Sequence, residues 1–192
     1  MTEKSINIIL LGCSTVGKTN LINTSVGLSF NPNSKQTVSS KETNIIIDKK
    51  NYLIQLYDTL GPKSFRNDAR KYIQISDIII FVYDITSLYS FKELDFFINM
   101  ANEVKKDNYI GGIIGNKIDL FLEEQVSEDD AHKYADSKNF KLKFTSAKFD
   151  GLNFKDFLVE LIRDYISTKK KKTKNENLKE NKLKKKYKRN NT

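Results

Sequence analysis

The sequence predicts an α/β fold in which a six-stranded, mostly parallel sheet carries helices on both faces. Short apolar runs of strand length alternate with segments of helical periodicity along most of the 192 residues. The runs 6–11 and 77–83 are almost continuously apolar, which is typical of strands covered on both faces. Such alternation favours parallel strands joined by helices, and ligands of these sheets bind at the carboxyl ends of the strands.

The individual elements follow from periodicity and from turn residues. The predicted strands are 6–11, 41–48, 51–57, 77–83, 109–115 and 141–145, with residues 48–51 forming the turn of a hairpin. The predicted helices are 19–27, 90–106, 127–137 and 152–166. Ser127 is expected to cap the third helix, with Asp130 three residues later in place of the usual glutamate.

The loop after the first strand matches the pattern G-x-x-x-x-G-K-[ST], in which a glycine-rich turn wraps a phosphate chain. Gly12 and Gly17 allow the close backbone approach that such a turn needs, and the N–H groups of residues 15–19 would point at the anion. Lys18 would reach the β- and γ-phosphates, and the Thr19 hydroxyl would hold Mg²⁺. The motif predicts a nucleoside triphosphate without specifying the base. The alternative is an ordinary turn with a solvent-facing lysine.

Polar residues also follow the strands 51–57 and 109–115. A carboxylate at Asp58 can hold a Mg²⁺-bound water, and the N–H of Gly61 can meet a terminal phosphate. Asp119, in the stretch Asn-Lys-Ile-Asp, can accept two parallel hydrogen bonds from the N1–H and N2–H₂ groups of guanine, which adenine cannot offer. These residues favour a guanine nucleotide.

Two further segments complete the predicted site. Residues 145–148 follow the last strand, and their backbone N–H groups could meet the O6 atom of guanine. Thr37 lies 18 residues after Thr19, in a loop from which its hydroxyl could cap Mg²⁺ when a γ-phosphate is present. Thr37 could equally be one hydroxyl in a polar loop, because only its spacing distinguishes it.

Charge is concentrated at one end of the chain. The net charge is +9, yet residues 169–192 hold 12 lysines or arginines and two glutamates, which leaves 21 basic and 22 acidic side chains in residues 1–168. The near-neutral body argues against a basic nucleic-acid-binding face. Cys13 is the single cysteine, no apolar run is long enough to span a bilayer, and a cytoplasmic location is expected.

Taken together, these motifs resemble a small GTPase of the Ras superfamily, and most of all its Rab branch, from about residue 5 to residue 166. The stretch Phe-Val-Tyr-Asp-Ile-Thr at 81–86, followed by Ser90 and Phe91, is similar to the one that Rab proteins carry after their central strand. The stretch Gln-Leu-Tyr-Asp-Thr at 55–59 resembles the Rab strand entering switch II, with Tyr57 where tryptophan is usual.

The resemblance implies a P-loop fold that binds GTP or GDP with Mg²⁺ and acts as a molecular switch in vesicle traffic. A monomer is expected, with effectors, an exchange factor and an activating protein binding through residues 30–40 and 58–75. Phe30 would pack against the guanine, although it could instead anchor a loop on the core. The full set of nucleotide-binding residues implied in this way is Ser14, Thr15, Val16, Gly17, Lys18, Thr19, Asn20, Phe30, Thr37, Gly61, Asn116, Lys117, Asp119, Ser146, Ala147 and Lys148, with Thr19, Thr37 and Asp58 at the metal.

Two residues of the site depart from the family pattern. Pro62 stands where the family has the glutamine that orients the attacking water, so no intact catalytic residue is expected and GTP hydrolysis should be slow. Thr15 stands where glycine or another small residue is usual. The rival interpretation is a constitutively nucleotide-bound interaction module that does not cycle. An ATP-using P-loop enzyme is a more distant alternative, against which Asn116 and Asp119 argue.

The C-terminal residues also depart from the pattern. Residues 1–168 are expected to form the GTPase domain, and residues 169–192 a lysine-rich, disordered tail. The chain has no cysteine near its end, so prenylation is not expected. Three interpretations of the tail remain open: reversible binding to an anionic membrane, a solvated segment without a partner, and a nuclear or RNA-related role.

Overall fold

The computed structural model describes residues 5–34, 39–59, 66–106, 108–149 and 151–190. Within them, six strands and the helices between them follow each other in the predicted α/β order. The strands are β1 Ile6–Leu11, β2 Ser39–Ile47, β3 Lys50–Asp58, β4 Ile78–Asp84, β5 Ile110–Asn116 and β6 Lys141–Thr145. The helices are α1 Lys18–Ser25, α2 Arg66–Ile75, α3 Leu88–Lys92, α4 Leu94–Lys105, α5 Glu128–Ser137 and α6 Gly151–Asn190, with a 3₁₀ helix at Ile118–Glu123.

The strands form one sheet in the order β2-β3-β1-β4-β5-β6, which confirms the predicted six-stranded architecture. Only β2 and β3 are antiparallel; every other neighbouring pair is parallel. The carboxyl ends of β1, β3, β4, β5 and β6 therefore meet at one edge, as the crossover connections require. All seven residues of β4 are buried, as expected for the strand at the centre of the core.

Both faces of the sheet are covered. A Cβ added at Gly112 of β5 would lie 2.9 Å from atoms of Phe157 and Leu161 on α6, so this face packs directly on the last helix. A Cβ at the neighbouring Gly111 would lie 2.2 Å from the ring of Phe140. Successive residues of a strand point to opposite faces, so the lack of space at Gly111 and Gly112 shows that both faces of the sheet are closely packed at β5.

The β2–β3 hairpin is tighter than predicted. Ile47 pairs with Lys50, so the turn is Asp48 and Lys49 alone rather than residues 48–51. Their φ angles are 50° and 64°, the positive pair that a two-residue type I′ turn requires. Aspartate tolerates positive φ better than lysine does, so the pair Asp48-Lys49 is only a weak sequence signal for a two-residue turn.

The helices differ from the prediction at several points. The segment 90–106 is split at Glu93 into α3 and α4, and α3 begins at a Ser87 cap that accepts a 3.2 Å bond from the N–H of Ser90. Neither α2 nor the 3₁₀ helix was assigned from the sequence. The Ser127 cap of α5 is confirmed, since its Oγ accepts from the N–H of Asp130 at 3.1 Å.

The last helix runs past its predicted end at residue 166 and continues to Asn190, through residues expected to be disordered. No glycine or proline interrupts residues 152–190, and lysine is a good helix former, so the backbone meets no stop signal. The Tyr165 hydroxyl donates to Asp77, and the Lys172 ammonium donates to Asn108 Oδ1 at 2.6 Å. These bonds fix the beginning of the basic segment to the body. In the part of the chain that is described, no helix is long and apolar enough to cross a membrane.

Candidate nucleotide-binding site

A cavity of about 420 Å³ opens at the carboxyl edge of the sheet, where the sequence analysis expected a ligand. Nine of the predicted residues line it: Thr15, Gly17, Asn20, Phe30, Asn116, Lys117, Asp119, Ala147 and Lys148. Pro32 and Leu120, which the sequence analysis did not single out, line it as well. The volume lies within the range of ordinary small-molecule sites.

The loop between β1 and α1 is shaped by two glycines that have no room for a side chain. A Cβ at Gly12 would lie 2.1 Å from the carbonyl oxygen of Val82, and one at Gly17 would lie 2.2 Å from the side-chain amide nitrogen of Asn116. Gly17 also has a φ of 100°, which side chains disfavour. The loop is thereby pressed onto β4 and β5, with the amino end of α1 facing the cavity.

Lys18 lies beneath this loop rather than in solvent, which excludes the alternative of an exposed lysine. Its ammonium donates to the carbonyl oxygens of Gly12 and Cys13 at 2.8 and 2.7 Å, and the residue is 4% exposed. Burial lowers the pKa of Lys18 to about 8, against the opposing attraction of Asp58 and Cys13. Burial disfavours the charged form of this lysine, and an anion bound in the loop would favour it.

Asp58 and Thr19 form the part of the site that suits a cation. The Thr19 hydroxyl donates to Asp58 Oδ2 at 2.6 Å, and Asp58 is 2% exposed. Burial raises the pKa of Asp58, although the bond from Thr19 and the charge of Lys18 oppose the rise. Among the described residues, Asp58 Oδ1 is a buried oxygen without a hydrogen-bond partner.

These donors fit Mg²⁺. Mg²⁺ prefers hydroxyl and carboxylate oxygens, keeps several waters and takes further ligands from substrate phosphates. The orphaned Asp58 Oδ1 can accept from a metal-bound water, and the Thr19 hydroxyl oxygen can ligate directly. No cluster of three or more acidic, histidine or cysteine ligands occurs in the described ranges, so a cage made of protein alone is not indicated there.

Asn116 is a buried clamp between the two halves of the site. Its side-chain NH₂ donates to the carbonyl of Val16 at 2.7 Å, and its Oδ1 accepts from the N–H of Ala147 at 3.1 Å. The residue is 1% exposed. One amide therefore joins the phosphate loop to the segment after β6, and its contacts in this structure are made with the protein.

The residues that follow β5 and β6 are bonded to each other. The Ser146 hydroxyl donates to Asp119 Oδ1 at 2.5 Å, which orients the carboxylate beside the cavity. The Lys117 ammonium lies 2.6 Å from Asp84 Oδ2 at the end of β4. Asp84 was not predicted as a site residue. It ends a strand at the same edge as Asp58 and Asn116, and the rule that ligands bind at the carboxyl ends of parallel strands could have identified it.

Phe30 is held at the cavity by α1. Asn20 donates to the carbonyl of Asn31 and accepts from its N–H, both at 3.0 Å, so the segment next to Phe30 is fixed by a reciprocal pair of bonds. The Asn20 side chain is thus used to position the loop. Phe30 is half-buried and packs against the core as well as lining the cavity, so both interpretations made from the sequence describe part of its position.

The remaining predicted residues have different positions. Val16 and Ser146 are each 2% exposed, whereas the side chain of Ser14 is exposed. Thr37, Gly61 and Pro62 lie outside the described residues.

A larger cavity, of about 610 Å³, lies at the opposite end of the sheet. Both lysines in its lining have carboxylate partners: Lys138 lies 2.7 Å from Asp95, and Lys141 lies 2.8 Å from Asp164. It lies at the amino ends of the strands, far from the glycine loop. The cavity near Asp119 is therefore the better candidate for a functional site, despite its smaller volume.

Thr15 combines a β-branched side chain with a left-handed backbone. Its φ is 66°, and its hydroxyl donates to the carbonyl of the preceding Ser14 at 2.6 Å. Such a conformation costs a side-chain-bearing residue roughly 1–2 kcal/mol. The strain lies in the loop that faces the cavity, where strained residues are often functional.

We expect Thr15→Gly to raise the free energy of unfolding by about 0.5–1 kcal/mol, because the relieved strain exceeds the entropy that glycine adds to the unfolded chain. Thr15→Ala keeps the Cβ and serves as the matched control, with a change below about 0.5 kcal/mol. Urea unfolding of the three proteins measures the difference. Equal stabilisation by both substitutions would show that the left-handed backbone is not the cause.

Comparison with known proteins agrees with this geometry. The model of the Ras family matches residues 7–167. Rab-22A of Homo sapiens is 32% identical over 88% of this chain and 87% of its own length. Rab-2B of Dictyostelium discoideum is 33% identical over 76% of this chain and 73% of its own length. Rab7 of Drosophila melanogaster is 30% identical over 77% of this chain and 74% of its own length. The chain is a Rab-like small GTPase and belongs to the Ras family.

Proposed function

We propose that the protein binds GTP and GDP in the 420 Å³ cavity and alternates between two conformations according to the nucleotide. The observation that supports this most directly is the arrangement of Asp119, whose carboxylate lies at the cavity and is oriented by Ser146. A fixed carboxylate suits the paired N1–H and N2–H₂ donors of guanine, and adenine has no matching pair. Phe30 and the stem of Lys117 would enclose the two faces of the base.

The phosphates would lie over the glycine loop, where Lys18 and the amino end of α1 provide positive charge. Thr19 and Asp58 would hold Mg²⁺, with Thr37 joining when a γ-phosphate is present. Mg²⁺ held by these residues would supply positive charge that offsets the negative charge developing during phosphoryl transfer. The roles of Thr37 and Gly61 as γ-phosphate contacts are carried over from the family resemblance.

Replacing Asp119 tests the guanine assignment. Asp119→Ala removes two charge-assisted hydrogen bonds, each of about 1.5–3 kcal/mol, so GDP affinity should fall on the order of 10²–10⁴-fold. Isothermal titration with GDP and ADP measures it, and the ADP affinity should stay unchanged. Glu123→Ala is the control, because it removes an exposed acid that does not line the cavity. Parallel losses for GDP and ADP would contradict the assignment.

We also propose that intrinsic GTP hydrolysis is slow. Proline at position 62 has no polar side-chain group, lacks an N–H and fixes φ near −65°, so it cannot orient water as a glutamine does. The alternative is a protein that holds nucleotide without cycling and serves as an interaction module. Thr37 and Gly61 favour a working switch, whereas Pro62 favours the alternative.

Single-turnover hydrolysis of [γ-³²P]GTP separates these possibilities. The wild-type rate should fall below the roughly 3–5 × 10⁻⁴ s⁻¹ of an intrinsic reaction that has the glutamine. Pro62→Gln should raise the rate, and Pro62→Ala, which frees φ without adding an amide, should not. An ordinary rate in the wild type, unchanged in Pro62→Gln, would contradict slow hydrolysis. GDP found in the purified protein would favour cycling, and GTP would favour the non-cycling module.

Effectors and regulators would bind through residues 30–40 and 58–75, as the family resemblance implies. The second range includes α2, where Ile75 is 49% exposed. A place in vesicle traffic is proposed from the Rab relationship alone, because fold and nucleotide chemistry do not specify a pathway.

The basic end of α6 is proposed to bind anionic membranes reversibly, since each lysine near an anionic leaflet contributes about 1 kcal/mol. The side chains of residues 169–172 are exposed and close to the body of the protein. Changing four lysines, 184, 185, 186 and 188, to glutamine should weaken binding to phosphatidylserine vesicles on the order of 10²–10³-fold. Co-sedimentation measures it, with phosphatidylcholine vesicles as control. Equal pelleting of both proteins would contradict the membrane proposal.

A further inference from the structure

Residues 120–130, here called the 120–130 surface, combine exposed apolar and acidic side chains. Phe121 and Leu122 are 64% and 87% exposed, and Leu120 is 36% exposed. The remainder of the segment contains no lysine or arginine and has five exposed acidic residues: Glu123, Glu124, Glu128, Asp129 and Asp130. Adjacent exposed apolar side chains are uncommon on monomers and often mark an interface.

The 120–130 surface is fixed to the body by hydrogen bonds on its inner side. The N–H of Gln125 donates to the carbonyl of Ile85 at 2.9 Å, and its side-chain oxygen accepts from the N–H of Leu88 at 3.1 Å. Val126, at 2% exposed, anchors the segment in the core. The apolar and acidic side chains are thus presented on a pre-formed backbone, which reduces the entropy that a partner must overcome.

The chemistry of this surface selects a cationic partner that also carries apolar side chains. Residues 169–192 of the same chain have this composition, with a net charge of +10 and Leu178, Leu183 and Tyr187 among the lysines. The backbone of residues 169–190 is helical, and the side chains of residues 169–174 are exposed. The charge on one segment is therefore complementary to that on the other.

The topology prevents this contact within one copy. The 120–130 surface follows the carboxyl end of β5, whereas Lys172 bonds to Asn108, which precedes the amino end of β5. Helix α6 begins after Phe149, on the same side as the 120–130 surface, and runs as one continuous helix toward the opposite end. Its 40 residues span about 60 Å, so the basic end lies far from the 120–130 surface of its own chain.

We propose that the 120–130 surface binds the basic end of α6 from a second copy of this chain. The contact joins two different patches, and a reciprocal pair of such contacts related by a two-fold axis would close a symmetric dimer. Exposed charges give it a strong dependence on salt, while Phe121 and Leu122 give it a contribution that salt does not screen.

The first experiment measures self-association of the full-length, GDP-bound protein by sedimentation equilibrium. The association constant should fall at least about tenfold between 0.1 M and 1 M NaCl, as the Debye length shortens from about 10 Å to about 3 Å. Leu122→Ser should weaken association at both salt concentrations. Ile46→Ser is the matched control, because Ile46 is 74% exposed on β2, away from the proposed contact, and its loss should change nothing.

The second experiment uses complementation between two full-length variants. One carries Glu123→Lys and Glu124→Lys, and the other carries glutamine at lysines 184, 185, 186 and 188. Neither should self-associate. A mixture should form heterodimers, because one variant retains the basic end and the other retains the acidic surface.

The proposal is overturned by a monomer at every salt concentration, by association that survives loss of the four lysines, or by variants that fail to associate when mixed. Circular dichroism of each variant confirms that folding is intact. Phosphatidylserine vesicles added to the wild type should compete with self-association, because both bind the same lysines. Unchanged self-association in their presence, with the protein pelleting, would assign the basic end to membranes alone and refute the contact.

Discussion

The buried side-chain amide of Asn116 is the interaction on which the site depends. It bonds the carbonyl of Val16 and the N–H of Ala147, and it occupies the space that glycine at position 17 leaves open. A side chain at position 17 would push the loop before α1 away from β5. Loss of the Asn116 amide would leave buried polar groups without partners. This amide holds the loop before α1 and the segment after β6 in fixed positions on the two sides of the cavity.

The electrostatics beneath the loop complete the site in a different way. Lys18 and Asp58 are both buried, and burial shifts each pKa toward the neutral form. One oxygen of Asp58 has no hydrogen-bond partner among the described residues. A buried cationic group, Lys18, and a buried acidic group, Asp58, thus lie close together. This arrangement suits a ligand that contains phosphate and a divalent cation. A ligand that binds the folded protein there would also stabilise it, because it would interact with the buried Lys18 and Asp58 side chains.

Charge is separated across the molecule. Acidic and apolar side chains follow the carboxyl end of β5, near the candidate nucleotide site. The basic segment of α6 extends from the opposite edge of the sheet, where Tyr165 and Lys172 bond to Asp77 and Asn108. One continuous helix carries the positive charge away from the acidic surface of its own chain. In the two proposed interactions, a second copy of the protein or an anionic membrane would contact that charge, which the acidic surface of the same chain does not reach.

The sequence alone was enough to predict the sheet, its parallel character and the candidate residues of the site, because buried strands, the glycine loop and the residues after each strand have local signatures. It also indicated Asp119 through side-chain chemistry. The bonds from Asn116 to the loop before α1, the pairing of Lys117 with Asp84 and the bonds from Asn20 to Asn31 became visible in the three-dimensional structure, because each joins different secondary-structure elements or loops and has no local sequence signature. The continuation of α6 was also missed, because composition predicted disorder where uninterrupted helix formers and contacts at Asp77 and Asn108 support a helix.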